Sequence, residues 1–514
     1  MLNKIDALFN LWKEHEGAGC QLLVIHKGET LVEKCYGYAN IETGTPITPD
    51  TVFHVASISK PFTAMCVMIL HERGLLNIDD DVRKYVPDLI AFSQPLTVRQ
   101  MMNHVSGLPE HYGLLYLNGR SARDCLMQDE LCRLIARQKE LNFEPGEKFM
   151  YSNPNYVFLG TIVERVSGMN LAEFAKKNIF EPLGMDHSLI RLDPLMVIPN
   201  SATSYLDNGY FYRKGIVNFG IYGGTNLSSN CRDLAKYIGQ YKEPTLISEQ
   251  TLEDVALKIP QLPEGRSTCY AGGVRINLLE GHRYIHHGGV NAGFRTVMAI
   301  YPEDELIIVA LANTHNIPIE TAARDVARIV LGLPERKLRN LDAYTAETFD
   351  ISQIEGFYCA EGMGSCYELQ VKDGQVYLGD GDDVKLTHIG KNLFKQGRRN
   401  ITFAFGKTVA VNDENVIRVL RKLTQTTALD GYAGSYFAKP VNGHFDVVQE
   451  GGKLWLDHLR HGRKELHWLE GDVFCYVVNG GMRKLEFVRD DKGAVVGFDY
   501  RSPQVYHMLY KKTV

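Results

Sequence analysis

Ser57-Ile58-Ser59-Lys60 places a hydroxyl and an amine three residues apart, just ahead of a helical stretch that starts near Pro61. On a helix, positions i and i+3 share a face, so Ser57 Oγ and Lys60 Nζ can meet. A serine hydroxyl is a weak nucleophile until a neighbouring base takes its proton. A lysine does that only where burial or nearby cations bring its pKa towards neutrality. The start of a helix also offers the Ser57 backbone N–H to a developing oxyanion. The spacing alone is common by chance, so it needs company.

Two further segments supply it. Tyr151-Ser152-Asn153 follows Glu144-Pro145-Gly146 in an expected loop. Tyr151 can pass a proton to or from a leaving group, and Asn153 can hold a substrate amide. His287-Gly288-Gly289 precedes Val290 and an apolar strand from Thr296. Glycines there let a substrate backbone approach a strand edge, and the Val290 N–H can complete an oxyanion hole with that of Ser57. Taken singly, a packed tyrosine, a capping asparagine and a Gly-rich hairpin with a satisfied histidine are the ordinary readings.

The elements that position these residues alternate up to about residue 335. Apolar periodicity predicts a helix over Met65–Leu76, a buried strand over Leu22–Ile25 and a helix over Tyr156–Val166. Thr296–Tyr301 and Glu305–Ala312, joined across Pro302-Glu303-Asp304, read as an antiparallel hairpin. A last helix, Ile319–Leu331, stops at Gly332-Leu333-Pro334. Beyond it, short alternating runs continue to the C-terminus, and they repeat. Gly356-Phe357-Tyr358 recurs 78 residues later as Gly434-Ser435-Tyr436, and Asp373–Leu378 recurs in the same register as Gly451–Leu456. Two small antiparallel β-barrels are expected, over residues 345–425 and 428–514, behind a catalytic domain at 1–335.

Composition narrows the function. The chain has 514 residues, 56 Lys+Arg against 61 Asp+Glu, and no long basic run, so no nucleic-acid partner is expected. Asp6 interrupts any apolar leader, and no apolar run is long enough to span a bilayer, which points to a cytoplasmic protein, with a processed secreted form as the alternative. Ten scattered cysteines, without C-x-x-C or zinc spacing, read as reduced thiols. His458, His461 and His467 fit an exposed strand and loop better than a metal site, and Asp79-Asp80-Asp81 fits a solvated turn. No G-x-S-x-G is present, so a nucleophile elbow is unsupported. Neither a metal nor another cofactor is expected.

Together, Ser57-x-x-Lys60, Tyr151-x-Asn153 and His287-x-Gly289 resemble the motifs of the penicillin-recognising serine hydrolases, closest to the branch of class C β-lactamases, D-aminopeptidases and esterases. Phe53-His54-Val55-Ala56, Leu96-Thr97-Val98-Arg99, His104-Val105-Ser106-Gly107-Leu108-Pro109, Phe180–Met185 and Gly224–Ser229 extend the likeness over residues 15 to 330 or so. The resemblance implies an α+β fold, helices packed on an antiparallel sheet, with the nucleophile at a helix start. It implies that Lys60, assisted by Tyr151, deprotonates Ser57, that the N–H groups of Ser57 and Val290 hold the oxyanion, and that water clears the acyl-enzyme. Losing one such donor typically costs about 100 to 1000-fold in turnover. Two barrels behind such a domain resemble D-aminopeptidases.

Two departures bear on the substrate. His287 stands where β-lactamases carry lysine, so a role in proton transfer or substrate contact fits it better than gripping a penicillin carboxylate. Tyr476–Gly481 reads as a tight hairpin, short and without an acid, where the resemblance implies a long acidic loop that recognises a free amino terminus. The expected activity is hydrolysis of amides or peptides, with D-configured residues among the candidates. The alternatives are a carboxylesterase of small acyl esters, acyl transfer to another acceptor, a penicillin-binding protein or sensor that acylates and stalls, and an inactive scaffold. The expected partner is a small-molecule or peptide substrate; a homo-oligomer is compatible with the sequence.

Overall fold

Seven strands build a central antiparallel sheet: β1 (Cys20–His26), β2 (Glu29–Tyr36), β3 (Tyr270–Ala271), β4 (Val274–Leu279), β5 (His282–Asn291), β6 (Phe294–Tyr301) and β7 (Leu306–Ala312). Their order is β3-β4-β5-β6-β7-β1-β2, so the N-terminal hairpin closes one edge and pairs with the last strand, Cys20 opposite Ala312. The computed structural model describes all residues except 10–16, 89–94, 122–123, 208–210, 337–340, 342–343, 346–349, 361–365, 380–383, 391, 397–400, 407–408, 414–415, 424–426, 479–480 and 514.

Alternate residues of β1, β6 and β7, among them Leu22, Val24, Val297, Ala299, Ile308 and Ala310, face a helix, α4 (Ile319–Val330), which presents Ala322, Ala323, Val326 and Ala327. The strand period of two and the helix spacing of three and four bring these faces together. Intervening residues of β6 and β7 are buried as well, so both faces are covered. The helices that carry chemistry are α1 (Ser59–Glu72) and α2 (Asn153–Ser167), with α3 (Cys231–Ile238) packed beside β1 and β7.

Helix α1 starts at Ser59, two residues ahead of the start expected near Pro61. A 3₁₀ turn, Ala56–Ile58, leads straight into it, and Pro61 lies in the first turn, where its missing N–H costs nothing. It ends at Glu72, before the left-handed Gly74. Helix α2 runs as read from the sequence, extended by a few residues at its start, and closes on left-handed Gly168. His287-Gly288-Gly289 lies within β5, paired with Met298, Val297 and Thr296 of β6, on one arm of an antiparallel hairpin, as the Gly-rich hairpin reading has it.

The chain divides into two units, residues Met1–His111 with Arg123–Arg336, and Tyr112–Ala122 with Lys337–Val514. The second contains two closed eight-stranded antiparallel barrels, from Gly356–Cys359 to Val416–Lys422 and from Gly434–Ala438 to Met508–Lys512. The sequence repeat is structural. Tyr358 donates its hydroxyl proton to the Ile354 carbonyl (2.9 Å) and Tyr436, 78 residues on, to Tyr432 (2.5 Å). Lys422 and Lys512 cover these rings and reach the carbonyls of Gln353 and Gly431. Within this unit, Tyr116, Leu117 and Asn118 lie against the second barrel. The Tyr116 ring stacks on His461 at 4.2 Å, His461 Nε2–H donates to the Tyr116 carbonyl, Tyr510 donates to Leu117, and Asn118 to Val441.

One expectation fails. Cys359 and Cys366, in register on the first two strands of the first barrel with Cα atoms 4.2 Å apart, form a disulfide; the other eight cysteines are free. Strand register brought together two thiols whose spacing matched no motif. Among the described residues no helix is long and apolar enough to cross a membrane. Tyr436→Phe, which leaves the Tyr432 carbonyl without its donor, should destabilise the second barrel by about 1–2 kcal/mol. Denaturant unfolding followed by Trp455 and Trp468, both in that barrel, reads the change; an unmoved midpoint would show that the repeated tyrosine bond contributes nothing.

Candidate active site

Ser57 is the one residue between 51 and 70 that is not fully buried. The turn presenting it is strained: Ala56 has φ of 51°, a left-handed conformation that a β-carbon disfavours. Hydrogen bonds hold it there. The Ala56 N–H donates to His54 Nδ1 (3.2 Å), and the Ser59 hydroxyl donates to the Ala56 carbonyl (2.6 Å) while accepting from the Leu227 N–H. Because His54 Nδ1 accepts, its proton sits on Nε2 and goes to Asn226 Oδ1 (3.1 Å). Burial keeps this imidazole neutral, with its pKa pushed down to about 4.

Lys60, three residues on, has no solvent exposure. Its Nζ lies 3.2 Å from Ser57 Oγ, 2.7 Å from Asn153 Oδ1 and 2.7 Å from the Gly224 carbonyl. Burial is the main cause of its lowered pKa; Glu110 opposes the shift and Arg275 adds to it, leaving a value of about 7. A neutral amine has two N–H groups and one lone pair. Both carbonyl oxygens can only accept, so they take the two protons and leave the lone pair towards the Ser57 hydroxyl. That is the arrangement a general base requires.

Tyr151 covers the amine, its ring centroid 4.9 Å from Lys60 Nζ. Asn153 is the first residue of α2 and does not cap it; Ser152 is the N-cap. His287 stands 6.2 Å from Tyr151, ring to ring. Burial first, then the charges of Lys60 and Arg275, hold its pKa well below the ordinary range. Its Nδ1 lies 2.6 Å from the Gly288 carbonyl, so Nδ1 carries the proton and Nε2 accepts from the Tyr270 hydroxyl (3.2 Å). His287 is therefore uncharged.

Strand β5 runs beside the nucleophile turn. A Cβ on Gly289 would stand 2.2 Å from the Val55 carbonyl, and Thr296, opposite it on β6, donates to that same carbonyl (3.0 Å). Only glycine permits this approach. Val290, next along, is 63% exposed. The structure thus brings Ser57, Lys60, Tyr151 and Asn153 together, sets His287 beside Tyr151 and Gly289 against Val55, and leaves Val290 at the open edge.

Three residues escaped the sequence reading. Glu110 is buried and ionised; its oxygens accept from the Asn153 backbone N–H (3.1 Å) and Nδ2 (2.9 Å). Burial works against its charge, but His111 and the Asn153 bonds outweigh it and hold the carboxyl below its ordinary pKa. It directly follows His104–Pro109, which was its signal. Arg275, on β4, stacks on the rings of Tyr151 and Tyr270, 5.8 Å from each centroid. Arg275 and Tyr270 lie on short-range sequence without a pattern. His458 and His461 stack on each other, and His467 stacks on Phe357; among the described residues no group of His, Cys, Asp and Glu is placed to hold a metal.

A serine on a helix-start turn, a desolvated lysine against its hydroxyl and a glycine-edged strand beside both define a serine hydrolase of the penicillin-recognising type. The family model Beta-lactamase matches residues 5–332, and the chain belongs to that family. It is 30% identical over 323 residues to penicillin-binding protein 4* of Bacillus subtilis, covering 60% of this chain and 71% of that one. With a D-aminopeptidase of Brucella anthropi it shares 24% identity over 529 residues, 97% of this chain and 96% of the relative. An octameric penicillin-binding protein homologue from Pyrococcus abyssi superposes with a TM-score of 0.57 and 26% identity, over 82% of this chain and all of that one.

The lysine pKa gives a pH test. Below about 7 the amine is protonated and its lone pair is lost; above it the base is free. The rate of fluorophosphonate attachment to Ser57 should therefore rise with pH through a midpoint near 7 and then level. A midpoint near an ordinary lysine's 10.5 would show a solvated amine and remove the base.

Proposed function

We propose that the protein hydrolyses amides or peptides through an acyl-enzyme on Ser57. The observation that carries this reading is the Lys60 amine, stripped of water, with two carbonyls on its protons and Ser57 Oγ on the remaining side. Lys60 takes the Ser57 proton as the hydroxyl oxygen attacks the substrate carbonyl. The N–H groups of Ser57 and Val290 receive the negative oxygen, and Tyr151 carries the proton to the leaving nitrogen. Water, deprotonated by the same groups, then releases the acyl product. Asn153 and Gly289 line the substrate's path, and His287 contacts it as a neutral group.

Likeness to a D-aminopeptidase along nearly the full chain supports an amide substrate with D-configured residues among the candidates. Recognition of a free amino terminus must differ from that implied by the resemblance: Val473–Val478 and Gly481–Arg489 pair up to Val478 opposite Gly481, leaving only residues 479–480 between, which lie outside the described residues. The domain limits proposed remain 1–335, 345–425 and 428–514. A homo-oligomer is the assembly that the octameric homologue supports, and light scattering would read it.

Fluorophosphonate should label Ser57, as mapped by mass spectrometry. Ser57→Ala should abolish labelling and turnover, Lys60→Ala should reduce both about 1000-fold or more, and Tyr151→Phe should lower kcat more than it raises KM. Comparable turnover in Ser57→Ala would sink the assignment. Amide and ester substrates, run side by side, separate an amidase from a carboxylesterase.

One observation favours a second reading, a penicillin-binding protein that acylates and stalls. Arg275 places a cation over Tyr151, near the position where His287 offers none. A guanidinium can pair with a substrate carboxylate in two parallel hydrogen bonds. On this reading fluorescent penicillin labels Ser57 stably and Arg275→Ala weakens labelling about 10-fold or more. Absence of any penicillin adduct leaves the amidase.

A further inference from the structure

Glu110 adjoins the site through Asn153. It is 3% exposed, and its carboxylate is spent inside the protein. One oxygen, Oε2, accepts from the N–H of His111 (2.9 Å) and of Asn153 (3.1 Å). The other, Oε1, accepts from Asn153 Nδ2 (2.9 Å) and lies 3.1 Å from His111 Nδ1.

An asparagine amide has two unlike ends, an acceptor oxygen and a donor NH2. At Asn153 one end must face Glu110 and the other Lys60. A carboxylate can only accept, so it draws the NH2 end, and the oxygen is left towards Lys60 Nζ at 2.7 Å. Without Glu110 the amide could turn over. Its NH2 would then meet the amine, one Lys60 N–H would lose its acceptor, and the lone pair would no longer be reserved for Ser57.

We propose that Glu110 is a positioning residue for the general base: it orients the Asn153 amide so that both Lys60 protons are held by carbonyls and the lone pair faces Ser57. This rests on the reading that Lys60 deprotonates Ser57. Glu110 also acts through its charge. The groups around Lys60 are Glu110, Arg275, the rings of Tyr151 and Tyr156, and the neutral His104 and His287. Glu110 raises the pKa of the amine and Arg275 lowers it.

Two variants of the full chain separate orientation from charge. Glu110→Ala removes both: the kcat plateau at high pH should fall about 100-fold, the cost of a misplaced catalytic group, with KM changed by less than about 3-fold. Glu110→Gln keeps an acceptor for Asn153 and removes the charge, so most of the plateau should survive. In both, the acidic limb of the kcat profile should move to lower pH, because loss of the negative charge lets the Lys60 pKa fall further. An unmoved limb in Glu110→Gln, or a full plateau in Glu110→Ala, overturns the proposal. A lowered plateau with an unmoved limb marks a merely structural role and overturns it too. Should Glu110→Ala fail to fold, the limb in Glu110→Gln decides. Ser57→Ala, run in parallel, tests the underlying reading: turnover there removes the serine mechanism itself, whereas an inactive Ser57→Ala beside an unshifted Glu110→Gln removes only the positioning role.

Discussion

The Lys60 amine is held between Asn153 Oδ1 and the Gly224 carbonyl, each 2.7 Å away, with no surface exposed to water. Lowering its pKa from 10.5 to about 7 corresponds to roughly 5 kcal/mol against the charged form. That is comparable to the whole net stability of a modest domain, so the surrounding structure must offset it. Helix α1, buried on every side from Ser59 to Leu70, and a sheet covered on both faces supply the apolar burial that does so. The strained Ala56 is tolerated for the same reason: His54, Ser59, Asn226 and Leu227 over-determine the turn, and Ser57 inherits a fixed place beside the amine.

This dependence explains which parts of the site could be read in advance. Ser57 and Lys60 are joined by helical periodicity, and Tyr151 and Asn153 by two residues of chain. Local geometry makes such pairs legible. Glu110, Arg275 and Tyr270 reach the site through tertiary packing, from a loop and from the β3–β4 edge, and no spacing rule marks them. The helix boundaries tell a similar story. The start of α1 was legible to within two residues, because Pro61 suits a first helical turn. The strands of the β6–β7 hairpin were plain, because Pro302-Glu303-Asp304 punctuates two apolar runs. The Cys359–Cys366 pair was hidden because it depends on strand register, which no cysteine spacing encodes.

The barrels were legible for a different reason. A repeat is visible without knowing what it folds into, and here the repeated letters carry repeated physics. A tyrosine hydroxyl bonds a carbonyl four residues back in each copy, and Gly356 and Gly434 adopt φ of 147° and 149° at matching positions. The lysines that close the two barrels, Lys422 and Lys512, reach equivalent carbonyls although they are spaced differently from the rest of the repeat. Local lengths drifted while the contacts were kept.

The segment Tyr116–Asn118 has a consequence for how the chain is made. Its partners in the second barrel lie far downstream: Val441 is 323 residues from Asn118, and Tyr510 is 393 from Leu117. At about 5–20 residues per second, translation leaves this segment without its native contacts for roughly 20–80 s after it emerges. The ribosome thus delivers these residues long before the barrel that will receive them, and their contacts close only once that barrel's last strand has been made.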